Sequence, residues 1–278
     1  MAGGGWRVAG GSLKPETCNE TMLSETEFYD RLAEFFDVMT DWSSRLAIEL
    51  PFLEMLLARH NVQAVLDCAC GTGGHAIALA QRGYRVTGSD ASAQMIARAQ
   101  AQAARASVAI SFHVARFQEL YTTFGTQFDA VLCLGNSLPH VLSDTDALTS
   151  LMNMRACLRA GGVLILHNLN YDKRWKEKPR WFAVNAGMLQ QRETLVWRFA
   201  DYDTVATLLT FNIALFTKNE QGEWSVQVQS TRQHPYQQRE IEMLLRRAGF
   251  RAMTFYGDLQ GAPFDAEQSP DLVVVATV

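Results

Sequence analysis

Apolar residues follow two different periods along this chain, and the change between them marks its layout. In 24–39 (SETEFYDRLAEFFDVM), Phe28, Leu32, Phe35, Phe36 and Met39 recur at helical spacing. Ser24 and Glu27 stand ahead of them at the spacing of a capping box. Leu46, Leu50, Leu53, Leu56 and Leu57 predict a second helix over 44–60, with Pro51 marking a break or kink. From Val62 the pattern turns to short apolar runs bounded by turn residues. The run AVLDCA ends in a glycine turn and reads as a strand buried on both faces. The spacing then predicts a helix over 74–82 closed by Gly83, and a strand over 84–89 ending at Asp90. A helix capped by Ser92 follows, then strands at 108–113 and in FDAVLCLGN, a helix over 144–159 and a strand in GGVLILHNLN.

Residues 172–236 break that rhythm. Alternating runs at 204–215 and 224–230 flank a turn signal at Asn219, Gln221 and Gly222, which predicts an antiparallel insertion. The alternation of helices and strands resumes with a helix over 237–247 and strands at 251–257 and 271–277. The expected fold is therefore α/β: a doubly wound, mostly parallel, seven-stranded sheet with a β-rich insertion. Residues 23–278 are expected to form one domain, with cap helices in 24–60, behind a Gly-rich tail over 1–22 that is expected to be mobile.

Composition narrows the class. The chain has 278 residues, 48% of them hydrophobic and 19% charged, enough for one well-filled core. A formal net charge of -4 disfavours a nucleic-acid partner. No apolar run reaches the ~18 residues of a membrane span, and the first residues lack the apolar stretch of a signal peptide. Of the five cysteines, Cys68, Cys70, Cys133 and Cys157 lie in predicted strands, a strand end and a helix, where cysteine packs as a small apolar residue. No second Cys or His pair completes a metal pattern, and the expectation is no metal and a reducing, cytoplasmic setting. Homo-oligomer formation is left open.

The candidate chemistry begins at Asp67-Cys68-Ala69-Cys70-Gly71-Thr72-Gly73, a strand end opening through a glycine loop into a helix. That context holds nucleotide-like cofactors. Gly71-x-Gly73-x-x-Ala76 also fits a dinucleotide fingerprint, so the loop alone leaves an NAD-dependent oxidoreductase open. Asp90, ending the second strand, is placed to accept from ribose hydroxyls under either reading.

Residues 65–73 with Asp90 resemble the first two motifs of class I S-adenosylmethionine (SAM) methyltransferases, whose sheet is Rossmann-like. More narrowly, the chain is similar to the glycine/sarcosine N-methyltransferase group. The likeness rests on Tyr29-Asp30, Asp41-Trp42 with Arg45, Leu134-Gly135-Asn136-Ser137 with His140, Asn170-Tyr171-Asp172, and Gly257-Asp258. The resemblance implies SAM as cofactor, S-adenosylhomocysteine as product and a small-molecule acceptor. It puts Arg45 on the cofactor's carboxylate, a pairing that a guanidinium makes in bidentate form. Tyr29 and Trp42 cover the cofactor, and Asp67, Ala69, Gly71 and Gly73 line the loop. Ser92, Met95 and Leu134 are expected at the pocket wall. No carboxylate follows the third strand to meet adenine, which leaves Ala115, Arg116 and Phe117 for that end.

The acceptor is expected outside the carboxyl ends of the strands, with His140, Asn136 and Tyr171 as candidate catalytic residues. Asn168, Asn170, Trp175, Tyr202 and Arg232 are candidate acceptor contacts, and Trp181 and His234 candidate lid residues. A neutral amine brings its own lone pair to an in-line displacement, whereas an alcohol or phenol needs a base, for which His140 is best placed. An O- or S-methyltransferase and a non-catalytic SAM-binding protein remain as alternatives. In the resembling group an arginine before the NYD element binds the acceptor's carboxylate. Leu169 stands at that position here. The resemblance therefore implies an acceptor other than free glycine, or a carboxylate held instead by Arg180 or Arg232.

Overall fold

The computed structural model describes residues 22–278. The tail expected over 1–22, with Cys18, lies outside the described residues save for Met22.

Three helices open the described residues: α1 (Glu25–Leu32), α2 (Phe36–Met39) and α3 (Trp42–Arg59). The Ser24–Glu27 capping box forms in full at the start of α1. The helix expected over 24–39 is split into two by a turn at 33–35. Pro51 does not break α3, which runs unbroken through it with the proline on an exposed face. The main body follows as β1 (Ala64–Asp67), α4 (Gly74–Gln81), β2 (Arg85–Asp90), α5 (Ala93–Arg105), β3 (Ser111–Val114), α6 (Leu120–Phe124), β4 (Phe128–Cys133), α7 (Asp144–Cys157) and β5 (Leu158–Leu169). Next come α8 (Tyr171–Glu177) and the strands β6 (Asn185–Leu189), β7 (Arg192–Asp203), β8 (Leu208–Lys218) and β9 (Trp224–Gln233). The chain closes with α9 (Gln238–Ala248), β10 (Met253–Tyr256) and β11 (Asp271–Thr277).

Seven strands form one sheet in the order β10-β11-β5-β4-β1-β2-β3. Only β11 runs against its neighbours. This is the doubly wound, mostly parallel sheet that the apolar runs predict. Alternate residues of the central strands feed two cores, as a sheet covered on both faces requires. Val131, Leu164 and Val274 pack on one side with residues of α7 and α9. Ala130, Leu132, Ile165 and Val273 pack on the other with residues of α3, α4 and α5.

The insertion is a separate antiparallel sheet, β6-β7-β8-β9. Its inner face, through Val196, Ile213 and Leu215, buries Leu23, Phe28 and Leu32 beside α1. Asp30 ties α1 to the start of α5: its Oδ1 accepts from Ser92 Oγ at 2.6 Å. The N-terminal helices are thus held between the insertion and the carboxyl ends of β1 and β2. No helix among the described residues is long and apolar enough to cross a membrane.

Candidate functional site

Two cavities open at the carboxyl ends of the strands, and Tyr29, Phe36, Arg45 and Gly135 line both. The first, about 340 Å³, lies over the glycine loop. The second, about 380 Å³, lies between the sheet and the insertion.

Gly73 sets the loop of the first cavity. Its φ of 88° is left-handed, and it caps α4, whose N-terminus turns toward the sheet edge. α3 lies across this loop. Trp42, Arg45 and Glu49 fall on one helix face by their spacing. Trp42 Nε1 donates to Asp37 Oδ1 at 3.0 Å and to Thr72 Oγ1 at 3.2 Å, joining α2, α3 and the loop. Arg45 sits over the Trp42 ring and pairs with Glu49 at 2.9 Å, and His75 bonds the other Glu49 oxygen at 2.6 Å. Burial opposes the Glu49 charge, yet the His75 hydrogen bond and the Arg45 guanidinium hold its carboxyl down at about 2.

Of the residues expected around a cofactor, the first cavity brings together Tyr29, Trp42, Arg45, Ala69, Gly71 and Asp90. Met95, Ala115, Arg116, Phe117 and Leu134 complete its far wall. Asp90 faces it while accepting from Gly71 N and Ser92 N, both at 2.9 Å; burial pushes its carboxyl up to about 6 despite those bonds. Three expected residues line neither cavity. Gly73 shapes the loop from behind, and Ser92 spends its hydroxyl on Asp30 and the α5 cap. Asp67 is buried beneath, its two carboxylate oxygens without partners, and burial pushes it up to about 7. Glu25 also lines this cavity, unexpected from sequence because it reads as an exposed first-turn acid. Burial, then the Asp90 charge, raises it to about 7.

His140 lines the first cavity, and Asn136, Tyr171 and Tyr202 line the second. A hydrogen-bond relay joins His140, Asn136 and Tyr171. Asn136 holds a φ of 67°, rare for a residue with a side chain, and this aims its amide across the strand ends. Asn136 Oδ1 accepts from Leu169 N, and its Nδ2 donates to Tyr171 Oη, both at 3.0 Å. Tyr171 Oη donates to Gln233 Oε1 at 3.0 Å. Gln233 Nε2 meets His140 Nε2 at 3.1 Å, and Tyr29 Oη meets the same nitrogen at 2.9 Å. With the amides oriented in this way, His140 Nε2 is the acceptor. Burial pushes His140 down to about 4, so its imidazole is neutral near neutrality.

Several expected acceptor contacts lie elsewhere, for reasons of strand parity and local bonding. Asn168 is buried on the sheet face opposite His167 and Leu169, which line the cavity. Asn170 caps α8 and donates to the carbonyls of Ala266 and Ser269, so it is a structural tie. Trp175 packs against Tyr202 from outside, and Tyr202 Oη donates to Pro179 O. Arg232 is exposed, because its neighbours Thr231 and Gln233 take the inward positions of β9. Arg180 pairs with Asp201, and Trp181 stacks on Trp197 at the surface. His234 packs on Tyr236 and lines neither cavity. Arg174, Arg198 and Gln233 also line the second cavity, beyond the residues to which the sequence points. For Arg198 a signal was present: β7 alternates, and Arg198 shares the inward parity of Val196 and Ala200, both buried.

A family model described as a methyltransferase domain matches residues 65–162. The chain is 35% identical over 159 residues to the glycine/sarcosine N-methyltransferase of Parasynechococcus marenigrum (strain WH8102), a match covering 57% of this chain and 56% of that one. It is 27% identical over 240 residues to the glycine/sarcosine N-methyltransferase of Aphanothece halophytica, covering 85% of this chain and 84% of the relative. Among solved structures, a SAM-dependent methyltransferase from Clostridium acetobutylicum ATCC 824 superposes with a TM-score of 0.74 at 15% identity, covering 90% of this chain and 98% of that one. Residues 65–162 thus match a methyltransferase domain, and the chain shares its fold with a solved SAM-dependent methyltransferase. The match spans little more than half the length of the first of these relatives.

Proposed function

We propose that the chain transfers the methyl group of SAM to an amine nitrogen of a small molecule. SAM suits the donor set of the first cavity. The Asp90 carboxylate faces it for a ribose diol, and Arg45 offers a guanidinium to a carboxylate. The partnerless Asp67 carboxylate lies buried under the same loop. In this reading Trp42 and Tyr29 cover the cofactor, and Ala69, Gly71 and Gly73 shape the bed for its amino-acid end. Ala115, Arg116 and Phe117 take the adenine end. When bound, SAM supplies an electrophilic methyl group on a sulfonium.

One observation carries the choice of nitrogen: among the described residues, the imidazoles and the carboxylate beside the acceptor are already engaged. His140 Nε2 is engaged by Tyr29 and Gln233, and its basicity has fallen from the ordinary 6.5 to about 4. Glu49, the acid that lines the second cavity, is held by Arg45 and His75, and the His167 imidazole in the same lining accepts from Gly135 N through Nδ1 at 3.3 Å with Nε2 3.6 Å from Asp271. An alcohol or phenol would find no proton acceptor there, whereas a neutral amine needs none. The chain's part is then to orient the amine through the Asn136–Tyr171–Gln233 relay and to exclude water. Two of the relatives are named for glycine and sarcosine, both amines.

The pH profile of kcat/KM tests this. The reactive form of the acceptor is the deprotonated amine, so the rate is expected to rise with pH until the acceptor's own pKa. No limb belonging to an enzymic imidazole should appear near neutrality. A limb near neutrality that disappears in His140→Asn, with a rate loss of roughly 100-fold or more, would make His140 a general base and favour oxygen as the target.

A further inference from the structure

Besides Arg45, which Glu49 holds, the acceptor cavity contains two guanidinium groups with no anion paired to them. Arg174 comes from α8 and Arg198 from β7, and both line it. Arg198 Nε is buried without a partner, while Nη2 donates to Asn185 Oδ1 at 3.2 Å. Burial, then the like charge of Arg174, pushes the Arg198 pKa below the ordinary arginine value. Arg174 lies over the Phe182 ring at 5.4 Å. Among the described residues no carboxylate forms an ion pair with either, and the nearby Asp201 is taken by Arg180. Two half-buried cations with an unmet donor are unfavourable unless an anion joins them, and a carboxylate matches a guanidinium in bidentate geometry.

We propose that Arg174 and Arg198 form a subsite for a carboxylate carried by the methyl acceptor itself. This rests on the amine reading above and goes further by naming the acceptor's second group. Tyr29, Phe36, Arg45 and Gly135 line both cavities and so mark the side where methyl transfer takes place. The two arginines line only the second cavity, on the insertion side. Leu169, at the position where the resemblance puts a carboxylate-binding arginine, lines the same cavity as an apolar wall. The recognising charge has moved from the sheet to the insertion. A cavity of about 380 Å³ with Phe182, Tyr202 and Phe211 in its walls suits an acceptor that carries a bulky or aromatic side chain beside its amine and carboxylate. Glycine, without a side chain, leaves most of that space unfilled.

Amine pairs that differ only in a carboxylate test the subsite: tyrosine with tyramine, and histidine with histamine. Calorimetry of each against protein saturated with S-adenosylhomocysteine reads binding, and labelled SAM reads turnover. In the wild type at least one carboxylated member should bind about tenfold tighter than its partner. Arg198→Gln and, separately, Arg174→Gln should each abolish most of that preference, and Arg198→Lys should retain part of it. Arg180→Ala, at an exposed site outside both cavities, should keep the wild-type preference. No carboxylate preference in the wild type, or a preference kept in both Gln variants, overturns the subsite. Methylated amines without that preference overturn the subsite alone. A preference in binding with no amine ever methylated overturns nitrogen transfer instead.

Discussion

Replacing Asp90 by alanine is expected to weaken S-adenosylhomocysteine binding by roughly 10- to 150-fold, the equivalent of about 1.5–3 kcal/mol for hydrogen bonds to a charged group. The side chain has two tasks. Its oxygens accept from Gly71 N and Ser92 N, which fixes the glycine loop against the start of α5. The same carboxylate faces the first cavity, where it is proposed to receive the ribose. Its ionisation separates these tasks. Burial raises Asp90 to about 6, and a ribose diol is accepted best by the ionised form. Wild-type affinity should therefore fall about tenfold for each pH unit below that value, with a proton released on binding. The variant should lose this dependence. A lowered melting temperature with unchanged affinity would mean that Asp90 only ties the loop.

The second large effect is expected at Gly74, the first residue of α4. A methyl group there would stand 2.3 Å from Trp42 Cε3 and 2.4 Å from Cδ2, so the indole must move. Alanine is the better helix former by about 1 kcal/mol, but overpacking of this severity costs about 1–3 kcal/mol or more. The clash should win because Trp42 is not free to yield: Asp37 and Thr72 hold its indole nitrogen, and Arg45 lies over its ring. Gly74→Ala is thus expected to lower stability and, by displacing Trp42 and Arg45, to weaken S-adenosylhomocysteine binding as well. The double variant Gly74→Ala/Trp42→Ala should be more stable than the two single losses added together, since the second change removes the clash. Simple additivity would place the cause elsewhere.

The sheet was legible in the sequence because its strands are covered on both faces. β4 is buried along its whole length and β11 across its middle, so each reads as an unbroken apolar run. The glycine loop was legible because a strand, a tight turn and a helix start leave few alternatives. The N-terminal cap was less so. Phe35 and Phe36 keep the helical period, yet the helix stops ahead of them and they pack beside the inner face of the insertion. That tertiary preference overrides local periodicity. The second cavity was read least well. The sequence points to Arg232, whereas Gln233 beside it lines the cavity, because in a strand a shift of one residue exchanges the inner face for the outer. Arg174 and Arg198 are 24 positions apart, on a helix and a strand that meet only once the insertion folds back over α1 and α2.

The central claim is that an amine nitrogen receives the methyl group without a general base. Its most direct test presents SAM with an isotopically labelled methyl group to compounds that offer both an amine and a competing hydroxyl or thiol. Tyrosine, tyramine, serine and cysteine form such a set, with mass spectrometry locating the label. The account predicts label on nitrogen alone, in the compounds that reach the acceptor cavity. Label on oxygen or sulfur, with the amine untouched, would contradict it.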